Sequence, residues 1–373
     1  MNGETGLRFD VAIAGAGLAG LEAALALARR GLEVAIVSPA PSRPDLRTTA
    51  LLGGSVDCLG RLGVWDAVAD GAAPLRVMRL IDDTGRLFRA PQVDFRSVEI
   101  GLAAFGYNIR NSVLAEALSG AAKATGEVAF IEANAGDAAY DPEGASLALS
   151  DGRTVSCALA VGADGRRSVL RQAAGIGETE WTYPQTAVVL DFRHEFPHGD
   201  VSTEFHTPNG PFTVVPCGDR HSSLFWVGRP ERAAEVLAMD AATLDLAVEY
   251  RMHSMLGKVS VASPVQTWPL SGMTARRFGK GPLVLVGEAA HVFPPIGAQG
   301  FNLGIRDVEL VDRLAAEAGP ARLSSIGEAY SRRRAGDIGL RTASVDIMNR
   351  SLLSGFLPLQ MARSLALSAL GAI

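Results

Sequence analysis

Three glycines with a dinucleotide-binding spacing follow the first apolar run of the chain. Residues Asp10–Ala14 lead directly into Gly15, Gly17 and Gly20, which form a G-x-G-x-x-G motif. In such a motif the first glycine permits a tight turn, the second lets a pyrophosphate approach the backbone, and the third lets a helix pack closely on a strand. The free N–H groups of the following helical turn can bind phosphate oxygens. The chemistry indicated is therefore the binding of a dinucleotide.

The elements around the motif have the pattern that this chemistry requires. Apolar residues recur at helical spacing after the glycines, at Leu21, Ala24, Leu25 and Ala28. Gly31 suits the left-handed position that ends a helix, and Leu32–Val37 is typical of a buried parallel strand. Ser38 stands 23 residues after Gly15, where an acidic residue commonly binds the ribose. A serine can bind only one hydroxyl, so the adenosine end is held more loosely or by another group such as Arg43.

Composition limits the class of protein. The chain has 373 residues, which suggests two domains, and its 48% hydrophobic and 20% charged residues exclude a disordered chain. A net charge of −5 argues against a nucleic-acid partner. The three cysteines, at 58, 157 and 217, match no disulfide framework, and the first ten residues show no secretory signal. We therefore expect a cytoplasmic protein.

Two later segments repeat the sequence of strand, loop and helix. The strand-like residues 157–161 precede Gly162–Ser168, and the strand-like residues 282–286 precede Gly287–Gly304. A helical pattern follows each loop. We interpret these segments together with the N-terminal motif, because their order and spacing along one chain support the interpretation.

The combination resembles the flavin monooxygenases of the p-hydroxybenzoate hydroxylase superfamily and, within it, the ubiquinone-biosynthesis hydroxylases. Besides the glycine motif and the two loops, the segments Arg47–Leu51 and Trp181–Ala187 carry the resemblance, as does Asn111. The resemblance implies an α/β fold. A Rossmann-like FAD-binding domain would be interleaved with an antiparallel β-sheet substrate domain, and C-terminal helices would follow.

By resemblance, several groups would contact the FAD phosphates and ribitol. Gly15, Gly17 and Gly20 would bind the pyrophosphate, and Arg47 would pair with it. Ser38 and Asn111 would also bind the cofactor. The loop with Asp164 and Gly165 touches FAD in this family and has been linked to the nicotinamide nucleotide. The cofactor-binding residues predicted in this part of the site are Gly15, Gly17, Gly20, Ser38, Arg47, Asn111, Asp164 and Gly165.

The last loop would contact the ribitol and the isoalloxazine ring. Glu288, after Gly287, occupies the position of the usual aspartate and is one methylene longer, so its contact must shift or pass through water. Residues from Pro295 to Gly300 would line the ring, with N–H groups near Gly300 and Asn302 facing its C2 carbonyl. The cofactor-binding residues predicted here are Gly287, Glu288, Pro295, Gln299, Gly300 and Asn302.

The implied reaction is aromatic hydroxylation. One oxygen atom of O₂ would enter the ring of a polyprenylated phenol in ubiquinone biosynthesis, through a flavin C4a-hydroperoxide. The reductant would be NAD(P)H or a protein electron donor, because the chain shows no second complete G-x-G-x-x-G in a strand–helix context. Since the flavin carries the chemistry, we identify no catalytic side chain and no metal site.

Two alternatives stay open. The same fold could hydroxylate a soluble phenolic or secondary metabolite. Alternatively, Ser38 and Glu288 could mark a non-catalytic flavoprotein subunit of a biosynthetic complex. If the protein acts in ubiquinone biosynthesis, its partners are a lipophilic phenol or quinone precursor, O₂ and other ubiquinone-biosynthesis proteins.

Strand patterns and the resemblance together suggest a division of the chain. We predict an FAD-binding domain from residues 1–72, 99–177 and 275–335, a substrate domain from 73–98 and 178–274, and a C-terminal helical segment from 336–373. Residues 75–88 read as a hairpin and 231–256 as helical cover for the sheet. The strands predicted in the substrate domain are 186–193, 201–206, 211–215, 222–227 and 265–269.

One motif resembles a zinc site but lacks the helix that such a site needs. Residues 194–198 spell H-E-x-x-H, which binds zinc only when a helix brings both histidines to one face. Pro197 would break such a helix, and the preceding residues alternate like a strand. We interpret the run as a strand end and hairpin.

The C-terminal segment combines positive charge with leucines. Between Ser331 and Arg363 there are six arginines and two aspartates, and Ser351–Ile373 carries one charge. Pro358, Gln360 and Arg363 interrupt any membrane span. The segment is either a packed helix pair or a peripheral contact with the inner face of the membrane.

Overall fold

The computed structural model describes residues 6–40, 45, 47–85, 89–294 and 299–339, without the side chain of Gln299. The predicted positions Arg43 and Pro295 and residues 340–373 of the C-terminal segment lie outside this part of the chain. The strands are β1 (Gly6–Ala14), β2 (Val34–Ser38), β3 (Thr48–Leu52), β4 (Ala73–Leu75), β5 (Val77–Asp82), β6 (Val93–Arg96), β7 (Gly106–Arg110), β8 (Val128–Glu132), β9 (Ala135–Tyr140), β10 (Ala145–Leu149), β11 (Thr154–Gly162), β12 (Glu178–His194), β13 (Val201–Thr207), β14 (Gly210–Gly218), β15 (His221–Gly228), β16 (Val259–Val261), β17 (Gln266–Ala275), β18 (Gly279–Lys280), β19 (Leu283–Leu285) and β20 (His291–Val292).

The helices connect and cover these strands. They are α1 (Leu18–Ala28), α2 (Gly53–Arg61), α3 (Trp65–Val68), α4 (Asn111–Ala124), α5 (Val169–Ala173), α6 (Pro230–Leu237), α7 (Ala241–Arg251), α8 (Gln299–Ala318) and a further helix α9 over 327–339. Short 3₁₀ turns lie at Ala69–Gly71, Ser97–Ile100, Gly287–Ala289 and Pro320–Ser325.

The first sheet is the predicted Rossmann-like one. Its order in the described chain is β18-β19-β11-β1-β2-β8, and β19, β11, β1, β2 and β8 run parallel. Strand β1 is central, and its residues Val11–Ala14 are at most 1% exposed, because helices cover both faces of a parallel sheet. The carboxyl ends of β1, β2, β11 and β19 therefore meet at one edge.

The second sheet is antiparallel apart from one parallel pair. Its order is β20-β17-β12-β15-β14-β13-β5-β6, and β16 pairs with β12. Strand β13 pairs with β5 in parallel. All five strands predicted in the substrate domain are present, each longer than predicted or extended at an end; β12 begins at Glu178, eight residues before the predicted start. The predicted helical cover consists of two helices, α6 and α7.

The two faces of this sheet differ. Alternate residues of β12, Val188, Leu190 and Phe192, pack against α6 and α7 in a buried cluster. The residues between them point the other way. They belong to a second cluster, the apolar face, formed by Tyr183, Ala187, Val189, Phe225, Val227 and Leu270.

Two sequence predictions about this sheet are wrong in part. The hairpin that begins with β5 is present and joins this sheet, but its second strand is Val93–Arg96, beyond the predicted end at residue 88. The H-E-x-x-H run ends β12 at His194, as predicted, but forms no hairpin: β15 and β14 lie between β12 and β13. His194 Nδ1 instead lies 2.7 Å from the carbonyl oxygen of Phe196, within an irregular connection.

A small third sheet lies between the other two. Strands β3 and β4 both pair with β7. Asn108 on β7 donates from its side chain to the carbonyl oxygen of Pro216 on β14, at 2.8 Å, so this sheet contacts the antiparallel one. The domain boundaries given above stay a prediction. In the described residues, no helix is long and apolar enough to span a bilayer.

Candidate functional site

The turn between β1 and α1 has the geometry of a phosphate-binding loop. Gly15 has φ +103°, and a Cβ there would lie 2.3 Å from the carbonyl oxygen of Ala163. A Cβ on Gly20 would lie 2.0 Å from the carbonyl oxygen of Gly15. Both positions therefore exclude any side chain. A Cβ on Gly17, in contrast, would meet no described atom within 4 Å, so this glycine faces open space.

The beginning of helix α1 is prepared for an anion. Gly17 is the N-cap residue and makes no side-chain cap bond, and the first turn carries no acidic residue. The N–H groups there are consequently free, and the helix dipole favours negative charge at this end. The residues present fit the pyrophosphate of a dinucleotide, which would lie against Gly17.

The loop after β11 lies directly beside this turn. Asp164 Oδ2 accepts hydrogen bonds from the N–H groups of Val169, at 2.6 Å, and Leu170, at 3.2 Å, and so begins α5. Its other oxygen, Oδ1, is buried and has no hydrogen-bond partner among the described residues. Gly165 has φ +80°, a backbone conformation that favours glycine. Asp164 thus has one structural oxygen and one oxygen that a ligand donor could satisfy.

The loop after β19 completes the edge. Gly287 has φ +57°, and a Cβ there would lie 3.1 Å from the Cβ of Ala19 on α1. Glu288 is exposed, and its carboxylate Oε1 lies 4.0 Å from Nη1 of Arg47. The three loops are therefore adjacent, and Arg47 approaches them.

Arg47 and Asn111 share an acidic partner that the sequence reading missed. Arg47 donates from Nε and Nη2 to the two carboxylate oxygens of Asp45, both at 2.9 Å. Asn111 donates to Asp45 Oδ2 at 2.9 Å and accepts a 2.6 Å bond from Thr49 Oγ1. Burial alone would raise the pKa of the Asp45 carboxyl, but these hydrogen bonds hold that pKa below its ordinary value. Two predicted cofactor ligands are thus held together by one carboxylate.

The remaining predicted residues lie around this centre. Ser38 ends β2, where its Oγ donates to its neighbour's carbonyl, and it pairs in register with Glu132 of β8. Gly300 and Asn302 lie in the first turn of α8; Gly300 is exposed. The Asn302 side chain accepts from the N–H of Leu52 at 2.9 Å and fixes α8 to β3. The predicted Pro295 and the side chain of Gln299 are outside the described residues.

A buried charged cluster supports the Gly287 loop from below. Asp307 on α8 is fully buried; its Oδ2 accepts from the Gly287 N–H at 2.9 Å and lies 2.7 Å from His291 Nε2. Arg334 on α9 donates from Nε to Asp307 Oδ1 at 2.7 Å. His291 is thus a structural hydrogen-bonding residue. The sequence reading missed Asp307, whose only signal is an aspartate between the apolar residues Ile305 and Val308 of an amphipathic helix.

A second buried arginine joins two of the loops. Arg171 on α5 is 1% exposed and donates to the carbonyl oxygens of Ala289, at 2.8 Å, and Arg166, at 2.7 Å. Its Nε also donates to Glu178 at 2.7 Å. Because hydrogen bonds from a buried charged group are strong, Arg171 fixes the spacing between the Asp164 and Gly287 loops.

A chain of polar side chains crosses from the small sheet to the antiparallel one. Thr48 Oγ1 donates to Ser223 Oγ at 3.3 Å, and Ser223 Oγ donates to Asp191 Oδ1 at 2.7 Å. Arg110 donates to the other carboxylate oxygen of Asp191 at 2.8 Å. We call Thr48, Ser223 and Asp191 the hydroxyl chain. His221 lies beside it, with Nε2 3.9 Å from Asp191 Oδ2, and its burial lowers its pKa below the ordinary value.

The hydroxyl chain lies at the margin of the apolar face. Asp191 is two residues beyond Val189, and Ser223 is two residues before Phe225, so all four share one side of the sheet. Thr48 directly follows Arg47. On the same side, Trp268 lies 5.7 Å from the Arg47 guanidinium. The crevice therefore has a phosphate-binding wall and an apolar wall with a polar margin. It contains no metal-ligating cluster among the residues that could be searched.

Comparisons with known proteins agree with this geometry. The sequence profile of the FAD binding domain family matches residues 8–337. The chain is 33% identical over 373 residues to the 3-demethoxyubiquinol 3-hydroxylase of Escherichia coli K12, covering 96% of this chain and 94% of that protein. It is 32% identical over 375 residues to the ubiquinone hydroxylase UbiL of Rhodospirillum rubrum, covering 96% and 85%.

Solved structures show the same architecture at lower identity. PqsL of Pseudomonas aeruginosa, described as a probable FAD-dependent monooxygenase, aligns with TM-score 0.79 and 18% identity over 96% of this chain and 99% of its own. The p-nitrophenol 4-monooxygenase PnpA of Pseudomonas putida aligns with TM-score 0.78 and 18% identity over 97% and 93%. These likenesses establish the predicted fold. The chain therefore belongs to the FAD binding domain family and, within it, to the FAD-dependent hydroxylases of ubiquinone biosynthesis.

Proposed function

We propose that the protein inserts one oxygen atom of O₂ into the aromatic ring of a lipophilic, polyprenylated phenol on the route to ubiquinone. The observation that carries this proposal is the position of Arg47. Its guanidinium lies 4.0 Å from Glu288, in the loop beside the phosphate-binding turn, and 5.7 Å from the ring of Trp268 in the antiparallel sheet. Relatives about one-third identical over nearly the whole chain are named as hydroxylases of this pathway, which supports the substrate class.

The cofactor ligands are proposed residue by residue. Gly15, Gly17 and Gly20 shape the turn for the pyrophosphate, and free N–H groups of α1 bind its oxygens. The guanidinium of Arg47 binds the phosphates, either by turning away from Asp45 or while it keeps its hydrogen bonds to Asp45. Asp164 Oδ1 is buried and has no hydrogen-bond partner among the described residues, so it accepts a hydrogen bond from a hydroxyl of the cofactor.

The other end of the cofactor is assigned in the same way. Gly287 and Glu288 lie on the ribitol side, and the first turn of α8, with Gly300 and Asn302, offers N–H groups to the ring. Since Ser38 pairs in register with Glu132 at the carboxyl end of β2, we propose that Glu132 provides the acidic ribose contact that Ser38 cannot.

When bound, FAD supplies the reducing equivalents and the atom at which O₂ is activated. The chain's own residues bind, orient and exclude water. The apolar face holds the ring and prenyl chain of the substrate and keeps water away from the reacting atoms. A reduced nicotinamide or a protein donor provides electrons, and the substrate reaches the crevice from the inner face of the membrane with other ubiquinone-biosynthesis proteins nearby.

The proposal is tested first at the cofactor site. Gly17→Ala adds a methyl group to space that no described atom fills, so the FAD-free protein should lose less than about 1 kcal/mol of unfolding free energy, as for other glycine caps. Its affinity for FAD should fall at least about tenfold, because the methyl group occupies the path of the pyrophosphate. Gly120→Ala, in open space on α4, is the matched control and should retain wild-type affinity. Fluorescence titration of the FAD-free variants measures both affinities for FAD.

The reaction is tested with the reconstituted protein. FAD, NADPH and a prenylated phenol should give a product heavier by one oxygen atom, detected by mass spectrometry. Oxidation of soluble phenols alone would favour the alternative substrate class. A colourless preparation that FAD cannot reconstitute would favour a non-catalytic subunit and would contradict the proposal.

A further inference from the structure

The direction of the hydrogen bonds in the hydroxyl chain follows from chemistry alone. Asp191 is 4% exposed and bonded to Arg110, so it is a carboxylate and can only accept. Ser223 therefore uses its single O–H proton to donate to Asp191 Oδ1, at 2.7 Å. With that proton committed, Ser223 Oγ can only accept from Thr48, at 3.3 Å. Thr48 can turn its proton to another acceptor only by giving up this bond.

The outer end of this chain is consequently an acceptor. Asp191 and Ser223 are buried, whereas Thr48 is half-buried and forms the end that a ligand can reach. While the bond to Ser223 is kept, Thr48 Oγ1 presents only lone pairs to a ligand. A group that donates an O–H satisfies it, and an ether or carbonyl oxygen in the same place would face another acceptor.

The position of Thr48 relates this polarity to the substrate. On β3 the side chains of Arg47 and Thr49 point toward Asp45 and Asn111, among the proposed cofactor ligands. Side chains alternate along a strand, so Thr48 points to the opposite side, where it meets Ser223. On Ser223's own strand, the next residue on that side is Phe225 of the apolar face. A ring packed on Phe225 and Val189 would therefore place a substituent beside Thr48.

We propose that the hydroxyl chain is a specificity device for the substrate: Thr48 Oγ1 accepts the hydrogen bond of a free ring hydroxyl and rejects the same ring when that hydroxyl is methylated. This inference rests on the proposed function and specifies it. Arg110 acts indirectly, as a positioning residue, because its bond to Asp191 keeps the carboxylate charged and the chain polarised in one direction.

The experiment compares two ligands that differ at one atom. A 2-prenylated phenol and its O-methyl ether are titrated into FAD-loaded protein, and binding is followed by calorimetry and by the flavin difference spectrum. The wild type should prefer the phenol by about tenfold or more, since an unmatched acceptor pair in a desolvated site costs about one hydrogen bond or more. Thr48→Val keeps the shape and removes the acceptor. The preference should then fall to about twofold or less, because the phenol loses its hydrogen-bond partner and the ether no longer meets an acceptor.

Three further variants separate recognition from damage to the fold. Thr48→Ser retains the acceptor and should keep the preference for the phenol. Thr154→Val makes the same change at the start of β11, about 26 Å along the strand from Gly162, and should behave as the wild type. Asp191→Asn allows the direction of the hydrogen bonds in the hydroxyl chain to reverse, because an amide N–H can donate to Ser223. That variant should bind the ether relatively better than the wild type does.

Each outcome decides between the proposals. If Thr48→Val keeps the wild-type ratio of phenol affinity to ether affinity, the hydroxyl chain does not distinguish the two compounds. The inference is then wrong, while the proposed function stands. If the FAD-loaded wild type binds neither compound, the substrate class is wrong and both proposals fail. A ratio that falls in Thr48→Val and returns in Thr48→Ser supports both.

Discussion

Two aspartates on helix α8 allow a direct test of how this protein supports its cofactor loop. Asp307 and Asp312 both pair with an arginine, but Asp307 is fully buried with Arg334, whereas Asp312 pairs with Arg30 at the surface, at 2.7 Å. Asp307→Asn removes the buried carboxylate that Arg334, His291 and the Gly287 N–H share, and leaves Arg334 with Asp337, at 2.6 Å, as its remaining carboxylate partner. The unfolding free energy should therefore fall by about 1–3 kcal/mol, the cost of buried polar groups that lose a partner. Asp312→Asn, on the same helix, should cost about 0–1 kcal/mol, because solvent screens a surface pair.

The assay is urea unfolding of FAD-free protein, followed by far-ultraviolet circular dichroism. A double variant, Asp307→Asn with Arg334→Met, should be less destabilised than the sum of the single variants by about 0.5–2 kcal/mol, because the guanidinium that lost its buried partner is then absent. Equal losses in Asp307→Asn and Asp312→Asn, within about 0.5 kcal/mol, would refute the argument from burial. Strict additivity in the double variant would refute the assignment of Arg334 as the partner.

Two other predictions concern carboxylates near the proposed cofactor. The pKa of Asp45 is held below its ordinary value near 3.8, so its bonds to Arg47 and Asn111 stabilise the fold above that pH, and the stabilisation is lost as the pH falls through the lowered pKa. Acid unfolding should show Asp45→Asn less stable than the wild type at pH 7 by at most about 1 kcal/mol, since both partners are partly exposed. The difference should vanish once the pH lies below the lowered pKa of Asp45; a difference that is constant with pH would contradict this. Glu132→Gln should weaken FAD binding about three- to tenfold in a fluorescence titration. Glu143→Gln, in the β9–β10 turn, is the control and should not weaken it. Equal affinity for FAD in the wild type and both variants would remove Glu132 from the site.

The local parts of the site could be read from the sequence because they depend on single residues. Gly15 needs a positive φ, and Gly20 has no room for a Cβ, so the residue types themselves indicate the turn. The Gly162 and Gly287 loops follow strands with the same buried, apolar pattern as β1. The meeting of these loops, in contrast, depends on the strand order, in which β19, β11 and β1 are parallel neighbours.

The hairpin at 75–88 and the hairpin after His194 could not be predicted correctly, because strand partners in an antiparallel sheet are set by long-range packing. The sequence shows that β12 ends near His194, but not that β15 and β14 lie between it and β13. Likewise, β5 is followed by a longer connection than the turn residues Asp83–Gly85 indicate, and its partner is Val93–Arg96.

By itself, then, the sequence determined the phosphate-binding turn, the Rossmann-like sheet and the resemblance to flavin hydroxylases, since these rest on backbone conformations and short spacings. The tertiary structure decided which polar groups meet. Asp307 contacts His291 and Arg334, which are 16 and 27 residues away, and Thr48 contacts Ser223, 175 residues away. Buried polar groups must find partners wherever the fold brings them, and no local pattern records those partners.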